Sequence, residues 1–228
     1  MNFYLDLIIN AYKEKKRLKE LKKDFESALI QYAENHKVRK LQIGTGPNKL
    51  TGWFNTDILP TNEGIYHLDA SKPFSIKDES FDYIFSEHQI EHLTYNEALD
   101  MLKECYRILK PKGKMRIITP DIEIIISLKI PDKTDIQKEY IKWHIENFFP
   151  EIAANRDIFV INNAFSGFGH RFLYDFSTLK EILSKAGFIN IVRMTYGHSN
   201  DDNLKGIDWR ASDKMTSFTG LCVEAEKK

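Results

Sequence analysis

The sequence predicts an α/β fold with a doubly wound, mostly parallel sheet, and three observations carry this. A short apolar run ends at Ile43 and breaks into Gly44-Thr45-Gly46-Pro47. A second short run, Trp53-Phe54, delivers Asp57, and strand-like runs then alternate with helix-period stretches down the chain. Two glycines straight after a strand let the chain turn sharply and bring bare backbone N–H groups close to a ligand. An acidic residue ending the next strand is where a parallel α/β sheet places a carboxylate for ribose hydroxyls. The pair points to a nucleoside-bearing ligand. A dinucleotide fingerprint would need a third glycine, where this chain has Lys49, and an acidic residue about twenty positions on. A pyrophosphate cradle is therefore disfavoured.

Composition sets bounds. The 228 residues, 42% hydrophobic, make one domain with a real core. Lys+Arg 33 against Asp+Glu 33 leaves no net charge, so neither nucleic acid nor a membrane is expected as a partner. Cys105 and Cys222 lack metal-type spacing and read as reduced core residues of a cytoplasmic protein. Met1–Asn10 has no basic leader or small-residue cleavage site, and no apolar run approaches the roughly twenty residues a membrane span needs.

Taken in order, residues 1–36 form an N-terminal helical extension. Leu18, Leu21, Phe25, Ala28, Leu29 and Tyr32 recur at three- and four-residue steps, with a break expected near Asn10. Phe3, Tyr4, Leu7 and Ile8 read as a lid or as a homodimer contact through this helix, against simple packing on the domain. Gly64–Leu68 reads as a third strand ending at Asp69-Ala70, where Asp69 either meets a ligand amine or caps the turn toward Pro73. Phe81–Phe85 reads as a buried strand. Then comes Ser86-Glu87-His88-Gln89-Ile90-Glu91-His92-Leu93, the densest titratable cluster. It contains H-x-x-E-H, the inverted zinc-protease pattern, with His88 and His92 one helical turn apart; with no third ligand in view, no metal is assigned.

Thr94-Tyr95-Asn96-Glu97 is a capping box opening a helix whose core face is Ala98, Leu99, Leu102, Cys105, Tyr106 and Leu109. Lys110-Pro111-Lys112-Gly113 ends it, and Met115–Pro120 is the next strand. Residues 122–173 are too long for a plain connection and rich in aromatics, among them Tyr140, Trp143, Phe148, Phe149, Phe159, Phe165 and Phe168. This insert reads as an acceptor pocket or lid, with a helix through Ile136, Tyr140, Ile141 and Ile145 stopped by Pro150. A helix from Ser177 to Ala186 stopped by Gly187 follows, then strands at Phe188–Tyr196 and Thr216–Glu224.

These stretches resemble the class I S-adenosylmethionine-dependent methyltransferases, and within them the type 11-like small-molecule enzymes. KLQIGTGPNKLTGWFNTD resembles their first two motifs, Asp69 the third, and LKECYRILKPKGKMRIITPD their helix, turn and fifth strand. The resemblance covers about residues 38–121 and 175–224. It implies a Rossmann-like sheet of seven strands with an antiparallel last strand, and S-adenosyl-L-methionine as cofactor. It places cofactor contacts at Gly44, Thr45, Gly46, Asp57, Ile58, Asp69, Ala70, Ser86 and Glu87, with backbone donors around Gly46 for the methionine carboxylate. One departure stands out: nine residues separate Ile43 from Trp53, where about a dozen or more usually link parallel strands. Either a single helical turn replaces the helix or the second strand lies elsewhere.

The resemblance implies methyl transfer to a small-molecule acceptor, a sugar hydroxyl or a secondary metabolite. A histidine titrates near neutral pH, so His88 is the first candidate for the base and His170 the second. Two alternatives remain open, a non-catalytic adenosyl-ligand binding subunit and a zinc hydrolase built on His88, Glu91 and His92.

Overall fold

Seven short runs pair into one sheet. The computed structural model describes residues 3–228, and the side chains of Arg17 and of 20–228. The strands are β1 (Lys40–Ile43), β2 (Phe54–Asp57), β3 (Ile65–His67), β4 (Phe81–Glu87), β5 (Leu109–Pro120), β6 (Ile189–Met194) and β7 (Gly220–Glu226). Their spatial order is β3-β2-β1-β4-β5-β7-β6. The first five are parallel, and β7 runs antiparallel between β5 and β6. The order reverses between β1 and β4, and at such a switch point an α/β sheet opens a crevice beyond its carboxyl ends.

The helices are α1 (Phe3–Asn35), α2 (Tyr95–Ile108), α3 (Ile122–Ser127), α4 (Asp135–Phe148), α5 (Asp157–Ser166), α6 (Phe176–Ala186) and α7 (Lys214–Phe218). One sheet face carries α1, α2 and α6, and its core joins Leu41, Ile43, Phe54 and Ile84 to Leu102, Cys105 and Ile182. The N-terminal helix is continuous where a break was expected at Asn10; with no Gly or Pro in residues 3–35, one asparagine costs too little to interrupt it. Phe25 meets the Phe54 ring edge-on at 5.3 Å. Tyr32 Oη accepts the Lys40 N–H at 2.9 Å and donates toward the Gly52 carbonyl at 3.0 Å. Phe3, Tyr4, Leu7 and Ile8, the expected lid or dimer contact, lie outside the described side chains.

The opposite face is covered differently. Trp53, Phe85, Ile118, Leu204 and Cys222 pack there, so its cover is the β1–β2 link and the loop after β6. Residues 44–53 form turns with no helical turn, yet Leu41 still pairs in register with Phe54. Two buried side-chain amides make this work. Asn55 Oδ1 accepts the Leu50 N–H at 2.9 Å, and Asn55 Nδ2 donates to the Leu50 and Trp53 carbonyls at 3.0 and 2.9 Å. Gln42 Nε2 donates to the Asn48 carbonyl at 3.1 Å. The amides satisfy backbone groups that a crossover helix would have satisfied internally. On the same face the buried Arg116 guanidinium binds Asp208 through Nε (2.7 Å) and Glu224 through Nη1 (2.5 Å), which ties the loop to β5 and β7.

Three boundaries differ from the sequence expectation. The fifth strand begins at Leu109 rather than Met115, because Lys110–Gly113 pairs with the chain end: Lys112 donates to the Lys227 carbonyl and Lys227 to that of Gly113, at 3.0 and 2.9 Å. The last strand begins at Gly220 rather than Thr216. Asp213 caps α7 by accepting the Met215 N–H at 2.9 Å, which draws Thr216 into a helix. The strand expected over Phe188–Tyr196 is confined to Ile189–Met194. Among the described residues no helix is long and apolar enough to cross a membrane.

Asn55→Ala removes three hydrogen bonds to the link, and the Trp53 carbonyl is the fully buried group that loses its partner. The substitution should lower unfolding free energy by about 2–3 kcal/mol with an unchanged urea m-value, read by equilibrium denaturation.

Candidate functional site

At the carboxyl end of β1 the chain turns through Gly44 (φ 72°) and Gly46 (φ 53°). A Cβ on Gly44 would stand 2.6 Å from Gln89 Cγ, whereas the space over Gly46 is open. Packing therefore demands the first glycine, and the second leaves room for a ligand. Gly44 and Thr45 both donate their N–H to the Thr56 carbonyl at 3.0 Å. The Gly46 N–H, expected to serve a ligand carboxylate, goes instead to Asp57 Oδ2 at 2.8 Å, while Asp57 Oδ1 accepts the Leu59 N–H at 2.9 Å. A carboxylate offers about four lone-pair directions, so these two donors fix Asp57 and leave capacity for ligand hydroxyls.

A cavity of about 500 Å³ opens over this loop. Gly44, Gly46, Asp57, Ile58, Asp69, Ala70 and His88 line it together. Asp69 also holds its own turn, accepting the Ser71 N–H and O–H at 2.9 and 2.7 Å. Thr45, Ser86 and Glu87 are not in its wall. Successive strand residues point to opposite faces, so Ser86 and Glu87 cannot both reach the same ligand. Ser86 is buried beneath Gln89, 3.4 Å from its Oε1. Glu87 turns to the loop-covered face, where it accepts the Trp209 N–H at 3.1 Å. Burial there pushes its carboxyl above the usual range.

His88 follows β4 in the left-handed region, at φ 51°, held by its N–H to the Ile118 carbonyl at 2.8 Å. Ile90–His92 is a single 3₁₀ turn, so the helix implied by H-x-x-E-H does not form and His88 lies outside it. Glu91 is fully buried. Burial alone would raise its carboxyl pKa, but the hydrogen bond and charge of His88 outweigh this and hold it below the usual value. His88 Nδ1 stands 3.1 Å from Glu91 Oε1, and Thr119 donates its hydroxyl to Glu91 Oε2 at 3.1 Å. The Glu91 carbonyl accepts the N–H groups of Arg171 (2.7 Å) and Phe172 (3.2 Å), which brings His170 alongside.

His170 lines a second cavity, of about 430 Å³, whose walls include Tyr140, Trp143, His144, Phe148 and Phe168 from the insert. His88 and His92 line both cavities and so mark their junction. The remaining insert aromatics do other work: Phe149 and Phe159 pack on a satellite core with Ile141 and Val160, and Phe165 is exposed. His170 Nδ1 lies 2.8 Å from the Ala164 carbonyl, and burial lowers its pKa. Sequence reasoning missed three lining residues, Gln89, Arg210 and His144. His144 stands four residues after Tyr140 on the apolar stripe of α4, which was its only signal. Its Nε2 lies 2.9 Å from Asn163 Nδ2, and burial pushes its pKa down to about 4.

Residues 56–117 match a family model described as a methyltransferase domain. No curated protein matches the chain. Among solved structures, an S-adenosylmethionine-dependent methyltransferase from Archaeoglobus fulgidus aligns over 99% of this chain and 100% of its own, at 18% identity and TM-score 0.50. One from Thermotoga maritima, described as a possible histamine N-methyltransferase, covers 95% and 96% at 20% identity and TM-score 0.46. A phosphoethanolamine N-methyltransferase from Haemonchus contortus, solved with S-adenosyl-L-methionine, aligns over 88% of this chain at 16% identity and TM-score 0.45. The chain spans about half the length of that protein, 52%. The first of these likenesses places the chain in the class I methyltransferase fold.

His144 is held neutral, so folding loses stability as pH falls. The unfolded imidazole takes up a proton near pH 6.5 and the folded one only near 4, so stability is full above about 6.5 and declines toward 4. Allowing for screening by water, the loss should be on the order of 1–2 kcal/mol. Urea melts at pH 7 and pH 4.5 should show a smaller pH difference in His144→Phe than in the parent.

Proposed function

On the premise of a methyltransferase domain, matched over residues 56–117 and set on the class I S-adenosylmethionine-dependent fold, we infer that this chain methylates a small molecule. The observation that carries this reading is the meeting of two cavities at His88 and His92. The cavity over Gly44, Gly46 and Asp57 fits S-adenosyl-L-methionine. Open space above Gly46 admits the ligand, Asp57 offers acceptors for ribose hydroxyls, and Ile58 and Leu68 present apolar surface to an adenine. Bound there, the cofactor supplies an activated methyl group. The aromatic-walled cavity then takes the acceptor, and its size and flat apolar walls suit a sugar or secondary-metabolite ring better than a nucleic acid strand. The absence of net positive charge supports the same choice. Buried, unpaired cysteines accord with a cytoplasmic setting.

The chain's own task is to align the acceptor, exclude water and accept a proton. The buried, ionised Glu91 beside His88 Nδ1 favours the proton on that nitrogen. His88 Nε2, buried and without a partner, is then the free lone pair that takes the acceptor's hydroxyl proton. The acceptor's hydroxyl proton would pass to His88 Nε2, and S-adenosyl-L-methionine held over Gly44, Gly46 and Asp57 would supply the methyl group to that oxygen and leave as S-adenosylhomocysteine.

Isothermal titration with S-adenosylhomocysteine should give micromolar binding, weakened about tenfold or more by Asp57→Ala. No binding by the parent chain would overturn the cofactor assignment. His88→Ala should keep that affinity and lower kcat by about 10²- to 10⁴-fold once an acceptor is in hand. Unchanged turnover would remove His88 from the chemistry.

A further inference from the structure

We propose that Glu91, His92 and His170 form a binding site for a zinc-type divalent cation at the junction of the two cavities. A carboxylate oxygen of Glu91 and one ring nitrogen from each histidine all lie within 4.8 Å of one another. Ligand atoms around a tetrahedral zinc are roughly 3.3 Å apart, so closure needs side-chain shifts of about an ångström or so. The group differs from the H-x-x-E-H expectation, because the left-handed turn at His88 removes that residue and the loop after α5 supplies His170 in its place.

Three further observations point to a ligand rather than to packing alone. Glu91 is fully buried and lines the acceptor cavity, with Oε1 meeting His88 Nδ1 and Oε2 the Thr119 hydroxyl, each at 3.1 Å. A carboxylate offers about four lone-pair directions, so one partner on each oxygen leaves this buried group capacity to meet a cation. His170 Nδ1 faces the Ala164 carbonyl at 2.8 Å. That bond fixes the tautomer and presents Nε2 for coordination, as metal-ligating histidines commonly require. Finally, the three ligands are brought together by backbone: the N–H groups of Arg171 and Phe172 on the Glu91 carbonyl hold the His170 loop against the 3₁₀ turn.

Two histidines and a carboxylate leave one position open, the pattern of catalytic rather than structural zinc sites. His92 faces both cavities, so the open position lies where an acceptor oxygen would enter, and a bound cation there would favour the oxygen's deprotonated form. His170 on this account is a ligand and not a proton acceptor, which leaves that role to His88. The site does not depend on the methyl-transfer reading, because a cation can bind whether or not an adenosyl ligand does.

The test uses the full chain freed of metal by chelation and titrated with Zn²⁺, then with Co²⁺ as a spectroscopic probe. One Zn²⁺ per chain at micromolar affinity or tighter, with visible Co²⁺ absorption of tetrahedral intensity, is the expected result. His92→Ala and His170→Ala should each weaken binding by about a hundredfold or more. Circular dichroism and thermal unfolding of both variants check that they fold. No stoichiometric binding by the parent, or binding unchanged in both folded variants, would overturn the site. Zinc binding without adenosyl binding would leave the site standing while removing the cofactor reading.

Discussion

The structure depends on how one face of its sheet is covered without helices. Gln42, Asn55, Arg116 and Glu224 all point to that face, where polar side chains would ordinarily be costly to bury. Each is matched by backbone or by charge. Gln42 and Asn55 hold the ten residues between β1 and β2, and Arg116 with Asp208 and Glu224 holds the loop after β6. Both anchored segments end in the site. The first delivers Gly44, Gly46 and Asp57 to the cavity over the glycine turn; the second delivers Trp209 to Glu87 and Arg210 to the aromatic-walled cavity. A buried guanidinium with two carboxylates adds little net stability against apolar packing, yet losing one partner leaves an uncompensated charge. Its value here is in fixing where the loop lies.

Glu91 plays the corresponding part at the junction. Its side chain faces His88 and Thr119 while its carbonyl holds the loop that carries His170. His88 in turn keeps a left-handed backbone that costs on the order of 1 kcal/mol, and the Ile118 carbonyl holds it there. Strain of this kind persists only where the surroundings over-determine it. The result is a histidine whose ring reaches both cavities at once.

Local signals were legible in the sequence and distant ones were not. Gly44 and Asp57 announce the turn after β1 and the end of β2 because both are set within eighteen residues. The capping box at Thr94 and Glu97 forms as its spacing requires, and Gly187 ends α6 in the left-handed conformation at φ 107°. The misjudged boundaries have two causes, a local cap overlooked and a distant partner. Thr216 looks like strand, but Asp213 three residues earlier caps a helix; Leu109 looks like a helix end, but Lys227, far along the chain, pairs beside it. H-x-x-E-H misleads for a local reason, since helix periodicity was assumed where a tight turn follows the strand. The approach of His170 to Glu91 and His92 depends on contacts across some eighty residues, which no spacing rule encodes.

On the proposed reading, the insert separates acceptor binding from cofactor binding. Leu128, Tyr140, Ile141, Ile145, Val160 and Met215 form a core distinct from that of the sheet, so the insert's packing energy is largely its own. Near the site it joins the scaffold through Tyr140 Oη at 3.4 Å from Thr219 Oγ1, the Glu91 carbonyl beneath Arg171 and Phe172, and the Arg171 guanidinium on Glu97 at 2.7 Å. Trp143, Phe148 and Phe168 face the cavity rather than the sheet core, so changes at these positions alter the acceptor's surroundings without disturbing β1 to β5. Changes at Glu91 cannot be local in this way. The same residue holds the insert's return loop, pairs with His88 and lines the aromatic-walled cavity, so on the proposed reading acceptor placement and proton acceptance are coupled through one buried carboxylate.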